Sequence, residues 1–294
     1  MFHAIRLLTQ LGIVSLSGLA FAAPPTVVQT QLAIAPQITA GSTITYDGSR
    51  CVFSFPSHAI RSGDTVVGYI HSADSVDANP MTPDGVYDST GAVYNLTPAL
   101  QWLPWPEDVK IFYLESVLGG PTSLTFDFSS QSAYLTGDAH STCDIGFAEY
   151  TPGKVVVTGP TLVSGTSPSI STTVPTDAAV WLYAADFRTN GFAALHNSGF
   201  VGIIDNWAQD DMGVWSGVPD AGPLTLTLNA PQGSSCAYSI SGCPTALAVV
   251  TLQGTGSSPP PPGQCLSFSL PSTVMDSAGN IWNFTATLTP TICQ

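Results

Sequence analysis

Four tryptophans stand where they could act in pairs. Trp102 and Trp105 sit in "LQWLPWPED", and Trp207 and Trp215 flank "AQDDMG". Aromatic faces left exposed beside Asp and Asn side chains can stack sugar rings and bond their hydroxyls, so Trp102, Trp105, Trp207 and Trp215 with Asp210 and Asp211 form a candidate ligand-binding set. The alternative is that these rings cap a core, because tryptophan is highly buried on average. Asp74, Asp77, Asp84 and Asp88 fall within fifteen residues rich in turn formers, and Asp205, Asn206, Asp210 and Asp211 form a second acidic cluster. Calcium takes several oxygens from loops of this kind, which makes it the cofactor to consider, with Asp74, Asp77, Asp84 and Asp88 as candidate ligands. Neither cluster has the ordered spacing of an EF-hand loop or a calcium-binding nonapeptide repeat, and a solvated acidic loop is the competing account.

Catalytic chemistry finds less to work with. The chain has three glutamates, Glu107, Glu115 and Glu149, from which a glycosidase would draw a carboxylate pair. Glu115 and Glu149 fall near the ends of expected strands, a position compatible with a cleft and equally with ordinary sheet faces. There is no Gly-x-Ser-x-Gly turn for a nucleophilic serine. His58, His71, His140 and His196 are scattered without metal-ligand spacing. No catalytic residue is assigned.

The elements that would position these residues are strands. Short runs with period-two alternation or β-branched and aromatic enrichment occupy 65–71, 109–114, 123–128, 154–158, 179–184, 200–204, 224–229 and 246–252. Gly- and Pro-rich turns such as "NPMTPDG", "LGGPTS" and "VPDAGP" separate them. In "LTLTLN", Leu224, Leu226 and Leu228 point one way into a core. The pattern predicts an all-β fold, a β-sandwich or jelly roll, over residues 23–255, as one large domain with room for two related halves. Its first strand is expected at "CVFSFPS".

Residues 1–22 read as a secretory leader: a positive start with Arg6, an apolar run from Leu7 to Leu19, and Ala20-Phe21-Ala22 as a small-x-small cleavage site. No later run is long and apolar enough to predict a membrane span. Without the leader the chain keeps five basic residues against 20 acidic ones, a net charge of −15. Nucleic acid and anionic membranes are therefore poor partners. Charged residues make up 9% of the chain and hydrophobic ones 44%, ample apolar surface for a folded core.

Six cysteines in an exported chain predict disulfides. Spacing favours Cys236 with Cys243 and Cys265 with Cys293, which leaves Cys51 for Cys143. A zinc site is the weaker account, since no two cysteines are two residues apart. A proline spacer, "GSSPPPPG" at 256–263, precedes a β unit of 31 residues, 264–294, too small to hold a core without its Cys265–Cys293 staple. That unit repeats the main domain: "DSAGNIWNFT" at 276–285 echoes "DSTGAVYNLT" at 88–97 with five of ten positions identical. Each copy predicts an Asp-Ser-x-Gly turn followed by a strand, with Tyr94 and Trp282 as core anchors. The sequons at Asn95 and Asn283 are part of this repeat.

"GDTVVGYIHSAD", "DSTGAVYNL", "VKIFYLESVLGGPTSLTFDFSS" and "IGFAEYTP" together resemble a broad group of secreted bacterial β-sandwich surface proteins with Asp-Ser-x-Gly-Asn-x-Tyr turns. The likeness covers about residues 60–252, more loosely in its second half. It departs at Ala92, where the pattern has Asn, whereas the tail copy keeps Asn280. The resemblance implies a sandwich and export, often beside carbohydrate-related or adhesion domains, and carries no catalytic residue. The expectation is thus an extracellular protein that binds a polysaccharide or surface glycan. The alternatives are a self-associating surface or filament subunit whose exposed strands pair with neighbours, and a polysaccharide-cleaving enzyme.

Overall fold

A computed structural model of the chain describes residues 22–33, 43–47, 49–55, 57–74, 82–102, 107–131, 141–165, 167–186, 194–206, 211–229, 245–255, 268–275 and 281–288. The main unit lies within residues 22–256, and the tail belongs to a second unit. The strands of the first half are β1 (Val27–Ala33), β2 (Thr43–Asp47), β3 (Arg50–Ser54), β4 (Thr65–Asp74), β5 (Gly85–Asp88), β6 (Asn95–Leu96), β7 (Leu100–Trp102), β8 (Glu107–Leu114), β9 (Ser123–Asp127) and β10 (Ser141–Tyr150). The second half has β11 (Gly153–Val163), β12 (Ser169–Val174), β13 (Ala178–Asp186), β14 (Ala194–Leu195), β15 (Phe200–Asn206), β16 (Asp211–Gly217), β17 (Gly222–Asn229) and β18 (Thr245–Gly254). The tail is a hairpin of β19 (Phe268–Met275) and β20 (Ile281–Leu288).

All eight runs expected from the sequence are strands, and the protein is all-β with every pairing antiparallel. Two expectations need correction. β1 and β2 precede the strand at Cys51, and Asp211 to Gly217, expected as part of a loop, is strand β16.

The two halves share one topology. In the first, the order β1-β10-β4-β8-β6, with β7 also on β8, faces the order β2-β3-β9-β5. In the second, β11-β18-β13-β16-β15 faces β12-β17-β14. First strand, last strand and the inner pair occupy matching places, and β15 matches the interrupted edge made by β6 and β7. Three cores hold the four layers together. The first half closes on Phe53, Phe112, Phe126 and Phe147, and the second on Val180, Leu182, Trp215, Leu226 and Leu228. Between the halves lies a shared core of Val67, Tyr69, Tyr150, Trp181, Tyr183 and Val250, with the rings of Tyr69 and Tyr183 4.2 Å apart.

Burial explains the sequence patterns. β9 buries Leu124 and Phe126 and shows the other face partly to solvent, so it alternates. β18 lies between two layers, is buried on both faces from Thr245 to Leu252, and reads as a continuous apolar run. Cys51 on β3 is bonded to Cys143 on β10, joining the two layers of the first half, as elimination predicted. Cys236, Cys243, Cys265 and Cys293 lie outside the described residues.

The repeated decapeptide keeps its register. Tyr87 bridges Val93 across residues 88–92 in the main unit, and Met275 pairs with Ile281 across 276–280 in the tail. In the main copy the Asp88 carboxylate accepts from the backbone N–H groups of Thr90 and Ala92 and from the Thr90 hydroxyl. Gly91 then takes a φ of 88°. Tyr94 is buried against Phe112, their ring centroids 6.1 Å apart.

Candidate functional site

The residues proposed for binding divide sharply. Trp215 is 4% exposed and belongs to the core of the second half, so it is no platform for a sugar. Its ring lies over Gly202 on β15, where an added Cβ would stand 2.1 Å from the indole. Trp102 ends β7, paired with Glu107, and Asp211 opens β16, paired with Asp186 and Asn206. Trp105, Trp207, Asp210 and Asp77 lie outside the described residues. The strand ends that flank them nevertheless gather at one end of the sandwich. Tyr150 meets Ser216 and Tyr69 meets Tyr183, so the run from Tyr150 to Ser141 in one sheet parallels the run from Ser216 to Asp211 in the other. Asp74, Trp102, Glu107, Asn206 and Asp211 all fall at the end reached by those runs.

Two of the four aspartates suggested for calcium have structural work instead. Asp88 is buried and caps its own turn. Asp84 accepts from the backbone N–H of Ser130 at 2.8 Å and from its hydroxyl. Asp74 ends β4. Among the described residues, no group of three or more His, Cys, Asp or Glu side chains is placed to hold a metal ion.

Two of the three glutamates are also committed. Glu115 accepts from the backbone N–H of Val155 at 2.7 Å, tying the β8 end to β11. Glu149 is fully buried and accepts from Gln29 Nε2 at 2.6 Å and from the Arg61 N–H at 2.8 Å, with His58 Nδ1 3.9 Å away. Burial, and then the neighbouring Glu149 carboxylate, push the Asp64 carboxyl up to about 6. This network fastens edge strand β1 and the 58–64 segment to β10. It contains a perturbed carboxyl, Asp64, beside Glu149, whose two oxygens accept from an amide and a backbone donor.

An open site lies on the other face of the same strand. Tyr150, the residue after Glu149, points toward the second half and shares a 2.8 Å hydrogen bond with Ser216. Burial holds its hydroxyl well above the ordinary tyrosine range. Around this pair is a groove of about 500 Å³ where β1 approaches β15 and β16, walled by Val27, Thr30, Ala179, Val201, Ile203, Val214 and Val218 among others. None of its lining residues is charged. Val201 is 81% exposed, Val218 58% and Val27 41%. The glycines at 199, 202 and 217 belong to the lining, and those at 202 and 217 leave room on the opposite face of their strands for the Trp215 and Phe200 rings. In volume and apolar lining the groove falls within the range of natural ligand sites.

No protein family model, no curated protein and no solved structure matches the chain.

The groove was within reach of the sequence in part. "NSGFVGIID" shows an apolar strand with small residues between large ones. That pattern marks close approach or missing volume, but the partner wall on β1 lies more than 160 residues away in the chain and leaves no local signal.

Proposed function

We propose that this protein is an extracellular binding protein without catalytic chemistry, and that the groove between β1 and β15 receives an uncharged, apolar partner. The observation that carries this reading is the groove's lining: a chain of net charge −14 offers there a concave surface with no charge and several exposed valines. A carboxylate ligand would meet no cation, and a cationic ligand no anion. Burial of Val27, Val201 and Val218 would supply the affinity. Export is supported by the leader pattern at 1–22 and by the Cys51–Cys143 disulfide.

The test is binding of a neutral solvatochromic dye such as Nile red. Thr30 is exposed at the groove wall, so Thr30→Trp fills the space without entering the core. The dye should bind the wild-type protein and lose at least tenfold in affinity for T30W at an unchanged thermal midpoint; equal binding by both would remove the groove from the account.

Carbohydrate binding remains the second reading, supported by the gathering of the Trp102 and Asp211 strand ends at one end of the sandwich. Co-sedimentation with insoluble polysaccharides, with and without calcium, tests it. Pelleting abolished by Trp102→Ala and unaffected by T30W would place recognition there.

A further inference from the structure

Sheet edges expose unpaired N–H and C=O groups, and proteins guard them with charge, proline, bulges or brevity. Among the described residues, several edges of the main unit follow that rule. β11, the outer strand of the five-stranded sheet opposite β15, carries Lys154 and Pro160 and breaks register between Thr158 and Thr161. β1 breaks register between Val27 and Gln29. In the first half, the strand that matches β15 is cut into β6 and β7 by Thr97-Pro98-Ala99, where the Thr97 hydroxyl replaces a backbone acceptor for the Ile111 N–H. β12 is flanked by Pro168 and Pro175, and β14 is two residues long.

β15 carries one of these devices, the charge of Asp205 next to its end, and none from Phe200 to Ile204. It pairs with β16 from Phe200 to Asn206 without a register shift, and among the described residues its other side has no strand. From Gly199 to Ile204 it carries no charge and no proline. Val201 and Ile203, on one face, are 81% and 40% exposed. An edge that pairs in register and is apolar and neutral over five consecutive residues is a template for another strand.

We infer that β15 pairs antiparallel with β15 of a second copy of this chain, joining the two five-stranded sheets across a two-fold axis near Gly202. Two arguments select a second copy. Antiparallel pairing about Gly202 sets Val201 of each copy opposite Ile203 of the other, so the segment is its own complement, as an isologous contact requires. Charge points the same way: copies of net charge −14 repel across most of their surfaces and can approach closely where a surface is neutral, and the 199–204 stretch is neutral. The contact uses the outer edge of β15, whose Val201 and Ile203 also line the groove, so T30W, on the β1 wall, is the variant that tells the two readings apart.

Sedimentation velocity over a wide concentration range tests the pairing. The protein should pass from monomer to a species of twice the mass, and the Val201 and Ile203 amides should gain hydrogen-exchange protection as it does. Val201→Lys should abolish the dimer; because it makes the chain less negative, that loss cannot come from added repulsion between copies, and at 81% exposure the substitution leaves the core alone. Val156→Lys, exposed on the guarded edge β11, should leave the dimer intact. A protein monomeric at every concentration overturns the inference, as does a dimer that survives V201K. If T30W dissolves the dimer, the copies meet through the groove and strand pairing is wrong. If the dye fails to bind while V201K still dissolves the dimer, the groove reading fails and the edge pairing stands.

Discussion

The two halves of the main unit repeat one strand order, and their packing sets the first strand of each half near the edge strand of the other. One of the resulting corners is closed. Where β11 meets β7 and β8, Leu100, Tyr113 and Val157 pack against the shared core, and Glu115 closes the seam through the Val155 N–H. The other corner is open. Where β1 meets β15, glycines at 199, 202 and 217 stand in the lining and the groove remains. Topology is the same at both corners, so topology alone does not make the site. Among the described residues, the first half also carries a disulfide and the buried carboxyls, whereas the second carries an edge strand neutral from Phe200 to Ile204. The halves have specialised, one toward a stapled, aromatic-rich scaffold and the other toward an exposed recognition edge.

That contrast is most severely tested at Trp215. Its ring fills the second half's core above Gly202, much as Phe112 covers Gly68 in the first. Trp215→Ala should cost about 3–5 kcal/mol of stability, and Phe112→Ala a similar amount. Urea denaturation measures both. A cost below about 1 kcal/mol for W215A, within the range of surface substitutions or a little above it, would return the ring to the surface.

The disulfide comes next. It spans 92 residues and joins only layers of the first half. Replacing Cys51 and Cys143 together by alanine should cost about 2–4 kcal/mol. Because Tyr69 and Tyr183 belong to one core, calorimetry should show a single transition moved to lower temperature. Two separated transitions, with only the first displaced, would show that the halves unfold apart and that the shared core does not couple them.

How far the sequence foretells this depends on whether a feature is local. The turn at Asp88 is written in five consecutive residues whose own hydrogen bonds make it, so it is legible in the sequence alone; of the tail copy, the described residues include the strands on either side, which pair Met275 with Ile281. Leu226 and Leu228 alternate with threonines, and their burial is equally legible. Trp215 misleads because aspartates and a glycine precede it, "DDMGVW", and a strand that starts at a loop edge carries turn-like residues at its first position. Glu149 has the residue type and strand-end position of a catalytic acid. Only the fold reveals that Gln29, 120 residues away in sequence, donates to it. The groove depends on two edge strands from different halves, and no window of sequence contains both.

The smallest expected effect concerns Asp64, at the buried carboxyl network that fastens β1. Its carboxyl titrates at about 6, against 3.8 for an ordinary aspartate, chiefly because burial disfavours its charge and secondarily because Glu149 lies beside it; Arg61 and His58 offset part of this. The sign follows from proton counting. Between roughly pH 4 and 6 the folded protein holds a proton that the unfolded chain has released, so stability from this group falls as pH rises and the full penalty is present above about 6. Asp64→Asn keeps the shape and removes the charge. It should therefore raise the thermal midpoint at pH 7 to 8, with an advantage that shrinks as pH falls through 6 and is gone near 4. Thermal melts of both proteins across that range measure it. The first half carries this penalty and the second shows no counterpart among the described residues, so the wild-type dependence should be read most directly in β1 as faster amide exchange at Gln29 and Thr30 above pH 6. A D64N protein with the same pH profile as wild type would mean that the Asp64 carboxyl is not the group that sets the dependence.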